Sequence, residues 1–189
     1  SQPFGKASGA WTEELENYYS YDPAKAKQLL KEAGYETGVT LEIPSVPGFE
    51  TQISVVQQQL ADVGITLKVG AALTNTFTSD VAAQKYTTMY FSLFQGEPTV
   101  AVNQIISTKA LYNPFKNATP ELDAKIEAVR AGGADAGKLA QEVNKYVVEQ
   151  AWFAPLFRVN QMYYHNAKVN VTPQIQQAVP SIYNYSPAK

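Results

Sequence analysis

Apolar residues recur in the first third of the chain in two blocks of helical period, each followed by a short alternating run. In the first block Ala26, Leu29, Leu30 and Ala33 fall at i, i+3, i+4 and i+7, while Lys25, Lys27, Lys31 and Glu32 take the other side. That spacing predicts an amphipathic helix. Asp22 stands where it can accept from the first free amides, Pro23 occupies the first helical position, and Gly34 supplies a left-handed stop. Val39–Ile43 then reads as a strand, ended by a loop carrying Pro44 and Pro47. The second block repeats the unit. Ile53, Val56, Leu60 and Val63 face inward from a helix over Glu50–Val63, Gly64 stops it, and Ile65–Val69 is a strand with Ile65, Leu67 and Val69 on one face.

A weaker third round follows, with a short helix over Thr76–Gln84 and a strand over Tyr86–Phe94 on β-propensity. The expected fold class is therefore α/β, a mainly parallel sheet flanked by helices, with segments 39–43, 65–69 and 86–94 in one sheet. Ligands of such sheets bind at the carboxyl ends of the strands, which selects the loops Ser45–Phe49 and Gln95–Pro98. Val100–Ser107 reads as a helix. Thr119-Pro120-Glu121 opens another, reaching about Ala131 with Leu122, Ile126 and Val129 inward. A glycine-rich loop separates it from Lys138–Gln150, whose stripe is Leu139, Val143, Tyr146 and Val147. Ala154–Val159 and Gln161–His165 read as short strands. From Asn166 onward, Pro173, Pro180 and Pro187 in a polar background predict an extended tail. Residues 1–20 read as an irregular lead-in, with Tyr18, Tyr19 and Tyr21 docking against the start of the first helix.

Composition narrows the function classes. Fifteen Lys and Arg against seventeen Asp and Glu give a net charge of −2, which excludes a polyanion-binding field and argues against a nucleic-acid partner. Cysteine is absent, so there is no disulfide framework and no thiol chemistry. No apolar run approaches the roughly 20 residues of a membrane span. The first residue is Ser1 rather than Met, which reads as a piece of something longer.

Candidate chemistry is sparse. Gly132-Gly133-Ala134-Asp135-Ala136-Gly137-Lys138 imitates a phosphate-binding loop but is followed by Leu139 where a magnesium-binding hydroxyl belongs, and a helix precedes it. It reads as an interhelical turn. His165 is the one histidine and has no motif around it, so no catalytic residue is assigned, and no clustered ligands indicate a metal or any cofactor. Tyrosines such as Tyr112, Tyr163 and Tyr164 read either as sugar-stacking surfaces or as half-wet packing residues.

Four segments resemble, in order, those of the extracellular solute-binding proteins of the peptide/nickel type (family 5) that serve bacterial ABC importers. Tyr21-Asp-Pro-Ala-Lys-Ala-Lys-Gln-Leu-Leu-Lys-Glu-Ala-Gly34 resembles the family's YDPEKAKxLLxEAG, and Gln57-Gln-Gln-Leu-Ala-Asp-Val-Gly-Ile65 resembles QxxLAxIGI. Asn113-Pro-Phe-Lys-Asn-Ala-Thr-Pro-Glu-Leu-Asp123 resembles NPFxxxNPELD, and Ala151-Trp-Phe-Ala-Pro-Leu-Phe157 resembles a late Pro-Leu-Phe strand. The resemblance implies a type II periplasmic-binding-protein-like fold. Members are bilobed and longer, so it implies that residues 1–165 are a carboxyl-terminal lobe and that 166–189 is a tail packing on an absent amino-terminal lobe. In peptide-binding relatives the loop after the third strand reads roughly W-x-x-D-x-x-E/D-P, and its Asp pairs with the ligand's amino terminus. Matched on Glu97-Pro98, Phe91 takes the Trp position and Phe94 the Asp position. The resemblance thus implies a ligand-binding set of Phe91, Phe94, Gln95, Gly96 and Glu97 from which that acid is missing. Phe91 and Phe94 are equally readable as strand core. Arg158 and Asn160 complete the set, Arg158 either holding a carboxylate bidentately or lying at a strand end in solvent.

The implied function is that of a monomeric binding component, not an enzyme, that takes a peptide-like or other small solute between two lobes and delivers it to ABC permease subunits. It would work at the extracellular face of the membrane or in the periplasm, lipid-anchored or free. The alternatives are a lobe of a hydrolase-like enzyme, for which no nucleophile–base motif is present, or a structural surface module.

Overall fold

The computed structural model describes residues 1–72, 76–92, 98–159, 162–174 and 179–188. They divide into two compact units, a sheet unit of Ser20–Ser92 and a helical unit of Ser1–Tyr19 with Leu93–Lys189.

The sheet unit is built from α1 (Pro23–Glu32), β1 (Val39–Ser45), α2 (Glu50–Ala61), β2 (Ile65–Ala72) and α3 (Phe77–Ala82). Both ends of α1 form as the sequence predicts. The Asp22 carboxylate accepts from the Lys25 N–H at 2.8 Å. At the other end Gly34 takes φ of +83° while the Tyr35 N–H reaches back to the Leu30 carbonyl at 2.8 Å. The burial of α1 differs from expectation: none of its residues is buried and Leu29 is 51% exposed. The stripe of α2 is as predicted, with Ile53 buried and Val56 and Leu60 packed beside it on Ile43 and Leu67 of the sheet.

β1 and β2 pair in parallel from Val39↔Ile65 to Ile43↔Val69. The register slips between Ile43 and Ser45, at Pro44, which has no N–H to give to a ladder. The first ladder bond runs from the Val39 N–H to the Gly64 carbonyl at 3.2 Å. Gly38, just before it, has φ of +96°, and a Cβ there would lie 2.8 Å from the Gly64 oxygen. Only glycine allows the two chains to approach this closely. Beyond β1 the expected third strand does not form in its described part, residues 86–92. The segment does run beside β1: the Thr88 N–H donates to the Glu42 carbonyl at 3.2 Å. The Glu42 N–H, however, donates to the Thr87 hydroxyl at 2.9 Å instead of to a main-chain carbonyl, so a side chain replaces the second rung of the ladder.

The helical unit contains a short α4 (Pro98–Ala101) that continues as one π-helical turn, Val102–Ile106. It also contains α5 (Pro120–Ala131) and α6 (Ala136–Glu149). The Thr119 hydroxyl caps α5 by accepting from the Leu122 N–H at 3.2 Å, and Pro120 opens the helix as predicted. Gly132 and Gly133 both take positive φ, so the phosphate-loop imitation is an interhelical turn. Asn113 of the Asn-Pro-Phe motif is buried and donates to the Ile106 carbonyl at 2.8 Å, fastening the chain that leads into α5. Leu122, Ile126 and Val129 pack against Val143 and Val147, while Phe4 and Ala10 of the lead-in are fully buried in the same core. The irregular lead-in is therefore a structural part of this unit. The side of α6 that is buried carries Ala140, Val143, Asn144 and Val147, whereas Leu139 and Tyr146 are only half-buried.

Two further expectations are corrected here. The described parts of 154–159 and 161–165 form no strand; Pro155 interrupts them, and Leu156, Phe157, Val159 and Met162 are all at least half exposed. The tail does not run as one extended segment. β3 (Val169–Val171) pairs antiparallel with β4 (Tyr185–Pro187), Asn170 lying opposite Ser186, so the tail doubles back on itself.

Candidate functional site

In the sheet unit two aromatic pairs gather around the carboxyl end of β1. Phe49, at the end of the loop after β1, lies against Tyr90 with ring centroids 4.8 Å apart. Phe77, at the start of α3, stacks on Phe91 at 5.8 Å with an interplanar angle of 19°. Phe49 and Tyr90 rest on the core of Ile43, Ile53 and Leu67, and all four rings are half-buried rather than sealed in. Phe91, the first residue of the expected site, is thus an aromatic surface backed by a second ring. Phe94, Gln95, Gly96, Glu97 and Asn160 lie outside the described residues.

An open groove of about 650 Å³ runs along β2 beside α2. Ser45, Glu50, Ser54, Thr66 and Lys68 give it polar walls, and Ile53, Leu67 and Val69 an apolar floor. The Gln57 side-chain amide donates to the Leu67 carbonyl at 2.7 Å, satisfying a main-chain acceptor that no strand takes among the described residues. Lys68 lies opposite Glu42 in the ladder and pairs with it at 2.7 Å. The hydrogen bond to Glu42 raises the Lys68 pKa above its ordinary value.

Arg158 belongs to the helical unit, and its guanidinium already holds a carboxylate of the same chain. It meets Glu16 Oε1 at 3.1 Å and donates to the Phe4 carbonyl at 3.0 Å. Glu16 also accepts from the Trp11 indole N–H at 3.0 Å and from the Gln2 amide at 3.1 Å. These donors, Trp11 first and then Arg158, pull the Glu16 pKa down from 4.5 to about 2 despite the opposing desolvation. Tyr19, expected to dock on α1, instead donates its hydroxyl to the Val148 carbonyl at 2.9 Å, at the end of α6. Sequence reasoning singled out Arg158 but not its partner Glu16, which lies 142 residues away and carries no local motif.

Among the described residues no group of three or more His, Cys, Asp or Glu is placed to hold a metal ion. Nor is any helix there long and apolar enough to cross a membrane.

The family model described as bacterial extracellular solute-binding proteins, family 5 Middle, matches residues 1–111. The glutathione-binding protein GsiB of Pectobacterium atrosepticum is 31% identical over 122 residues, which is 57% of this chain and 24% of that protein. The solved structure of clavulanic acid biosynthesis oligopeptide binding protein 2 matches all of this chain and 38% of its own length, with a TM-score of 0.83 at 18% identity. Helicobacter pylori DppA, solved in complex with the peptide STSA, matches 79% of this chain and 31% of its own, with a TM-score of 0.68 at 18% identity. The fold is that of the type II periplasmic binding proteins. The chain spans about a quarter of the curated relative and under two fifths of these two solved chains.

Proposed function

Because the chain belongs to the bacterial extracellular solute-binding proteins, family 5, we propose that it is part of the substrate-binding component of an ABC importer. In this reading the component captures a peptide-like or other small solute and hands it to membrane permease subunits, without chemical turnover. The observation that carries the reading is the family match over residues 1–111, which includes the loops at the carboxyl ends of the sheet. The aromatic pairs Phe49–Tyr90 and Phe77–Phe91 support a binding role for that end of the sheet, since half-buried rings offer apolar surface to a ligand at small entropic cost.

We further propose that residues 1–165 act as a carboxyl-terminal lobe and that 166–189 pack on an amino-terminal lobe. Support comes from the exposed apolar side chains of the tail, among them Val179 at 69%, Ile182 at 79% and Tyr183 at 93%. Phe91, Phe94, Gln95, Gly96 and Glu97 are the proposed ligand contacts of the sheet unit. Arg158 and Asn160 are proposed for the helical unit, with Arg158 steadied by Glu16. Closure of two lobes over the solute is the proposed mechanism, ligand contacts favouring the closed state. The component works on the outer side of the membrane, whether tethered by lipid or free.

Native mass spectrometry of a longer protein carrying this chain tests the proposal. The expected result is a copurifying small solute that is lost when the 189 residues are prepared alone. Stoichiometric labelling of a serine by a phosphonate probe, with no bound solute, would overturn it in favour of a hydrolase-like enzyme.

A further inference from the structure

Resting on the reading of Arg158 as a solute contact, we propose that Glu16 sets the chemical class of group that Arg158 takes: an uncharged oxygen, a carbonyl or a hydroxyl, and not a carboxylate. Glu16 is then a specificity-determining residue of the helical unit.

A guanidinium carries five N–H groups on a rigid fork and grips a carboxylate when two parallel N–H groups meet its two oxygens. The end of the Arg158 fork already has such a partner. Nη1 donates to Glu16 Oε1 at 3.1 Å and Nη2 to Glu16 Oε2 at 3.4 Å. The main chain of the lead-in lies along the Nε side. Nη2 also donates to the Phe4 carbonyl at 3.0 Å, with the Gln2 carbonyl at 3.4 Å. A Cβ on Gly5 would lie 3.7 Å from Nε and 3.8 Å from Cδ, so Gly5 covers that edge closely. What remains for a solute is the second N–H of Nη1, on a side chain that is half exposed. One donor suits one oxygen.

Glu16 is held in place by more than Arg158. Its Oε2 also accepts from the Trp11 indole at 3.0 Å and from the Gln2 amide at 3.1 Å, and swinging aside would leave both donors without it. The same donors keep Glu16 ionised at neutral pH. A solute carboxylate on the free Nη1 N–H would therefore share one guanidinium with a fixed negative charge, and two carboxylates at one site disfavour each other's ionised form. A carbonyl or hydroxyl oxygen meets no such opposition. A solute presenting an amide, an ester or a sugar hydroxyl fits this pair, whereas the free carboxyl terminus of a peptide does not.

Two measurements test this. In the first, the Arg158 guanidinium resonances of the 189-residue chain are followed by NMR during titration with sodium acetate, against sodium chloride at matched ionic strength. In the wild type, acetate should act no more strongly than chloride. In Glu16→Ala the acetate response should exceed that of chloride by about threefold, the scale of one exposed ion pair. Glu16→Gln, which disturbs the cluster less, should move the same way and decides if the alanine variant does not fold. A wild-type response specific to acetate, or no gain in a folded variant, would overturn the proposal. In the second, a crystal structure of a longer protein carrying this chain is determined with its copurified solute. An uncharged solute oxygen is expected at about 2.7–3.2 Å from Nη1, with Glu16 still paired. A solute carboxylate on Arg158, a displaced Glu16, or a solute that does not touch Arg158 would overturn this inference alone. The absence of any solute would overturn the solute-binding reading and this inference with it.

Discussion

Replacing Glu16 with Gln tests how much the polar cluster around Arg158 contributes to stability. In the folded chain this carboxylate receives the Trp11 indole, the Arg158 guanidinium and the Gln2 amide. The amide of Gln would remove the charge and turn an N–H₂ toward groups that are themselves donors. The pKa depression from 4.5 to about 2 sets the scale. At 1.36 kcal/mol per pH unit it corresponds to an upper bound of about 3 kcal/mol. Arg158 is half exposed, so solvent screening reduces that bound, and we expect a loss of about 1–2 kcal/mol at pH 7. The sign follows from the depressed folded-state pKa. The unfolded chain takes up the proton at higher pH than the folded chain, so the contribution is complete above about 4.5 and is lost as pH falls through about 2. Urea unfolding of wild type and Glu16→Gln from pH 7 to pH 2 measures the difference, and comparing the two proteins cancels the other carboxylates. The gap should stay level to about pH 5 and then narrow continuously. A gap below about 0.3 kcal/mol at pH 7, or one that does not change with pH, would refute the reasoning.

Two other substitutions probe the sheet unit. Gly38→Ala should cost about 1–3 kcal/mol in equilibrium unfolding, because the new Cβ meets the Gly64 carbonyl and the backbone sits at positive φ; a change within about 0.5 kcal/mol would contradict the close approach. Leu29→Lys should shift the stability of this chain by no more than about 0.5 kcal/mol, since that side chain is half exposed on a helix with no buried residue. A larger loss by chemical unfolding would mean that the face of α1 is covered.

The legible parts of this fold are those specified by neighbours in sequence. Asp22, Pro23 and Gly34 mark both ends of α1 through contacts that span five residues or fewer. The inward face of α2 follows from spacing alone, because β1 and β2 lie directly beside it in the chain. The same reasoning misjudged α1: periodicity gives a helix an apolar side but not a neighbour to cover it. It also misjudged residues 86–92. β-propensity registers the Thr and Tyr content but not that the Thr87 hydroxyl displaces a main-chain acceptor at Glu42. In α6 the hydrophobic stripe was visible, yet Asn144 within its buried side was not, since its partner Gln2 is 142 residues away. The site loops were chosen by the parallel-sheet rule and by resemblance, and of them the structure describes Phe91 with its Phe77 partner.

The division of the chain into two units has a consequence for how it folds. Residues 20–92 interrupt the helical unit, so the lead-in is synthesised before the sheet unit but meets α6 and Arg158 only after that unit has been made. Drawing the ends of that 73-residue insertion together from a disordered chain costs about 4 kcal/mol in closure entropy, before any strain in the junctions. The sheet unit has its own local helix–strand pairs and can form during this interval, which shortens the effective loop. The order of events is then inner segment first and outer segments last. The lead-in, although it precedes the sheet unit, waits with Phe4 and Leu15 unburied until the final third of the chain arrives. During that wait these two side chains are apolar surface open to a chaperone or to a neighbouring unfinished chain.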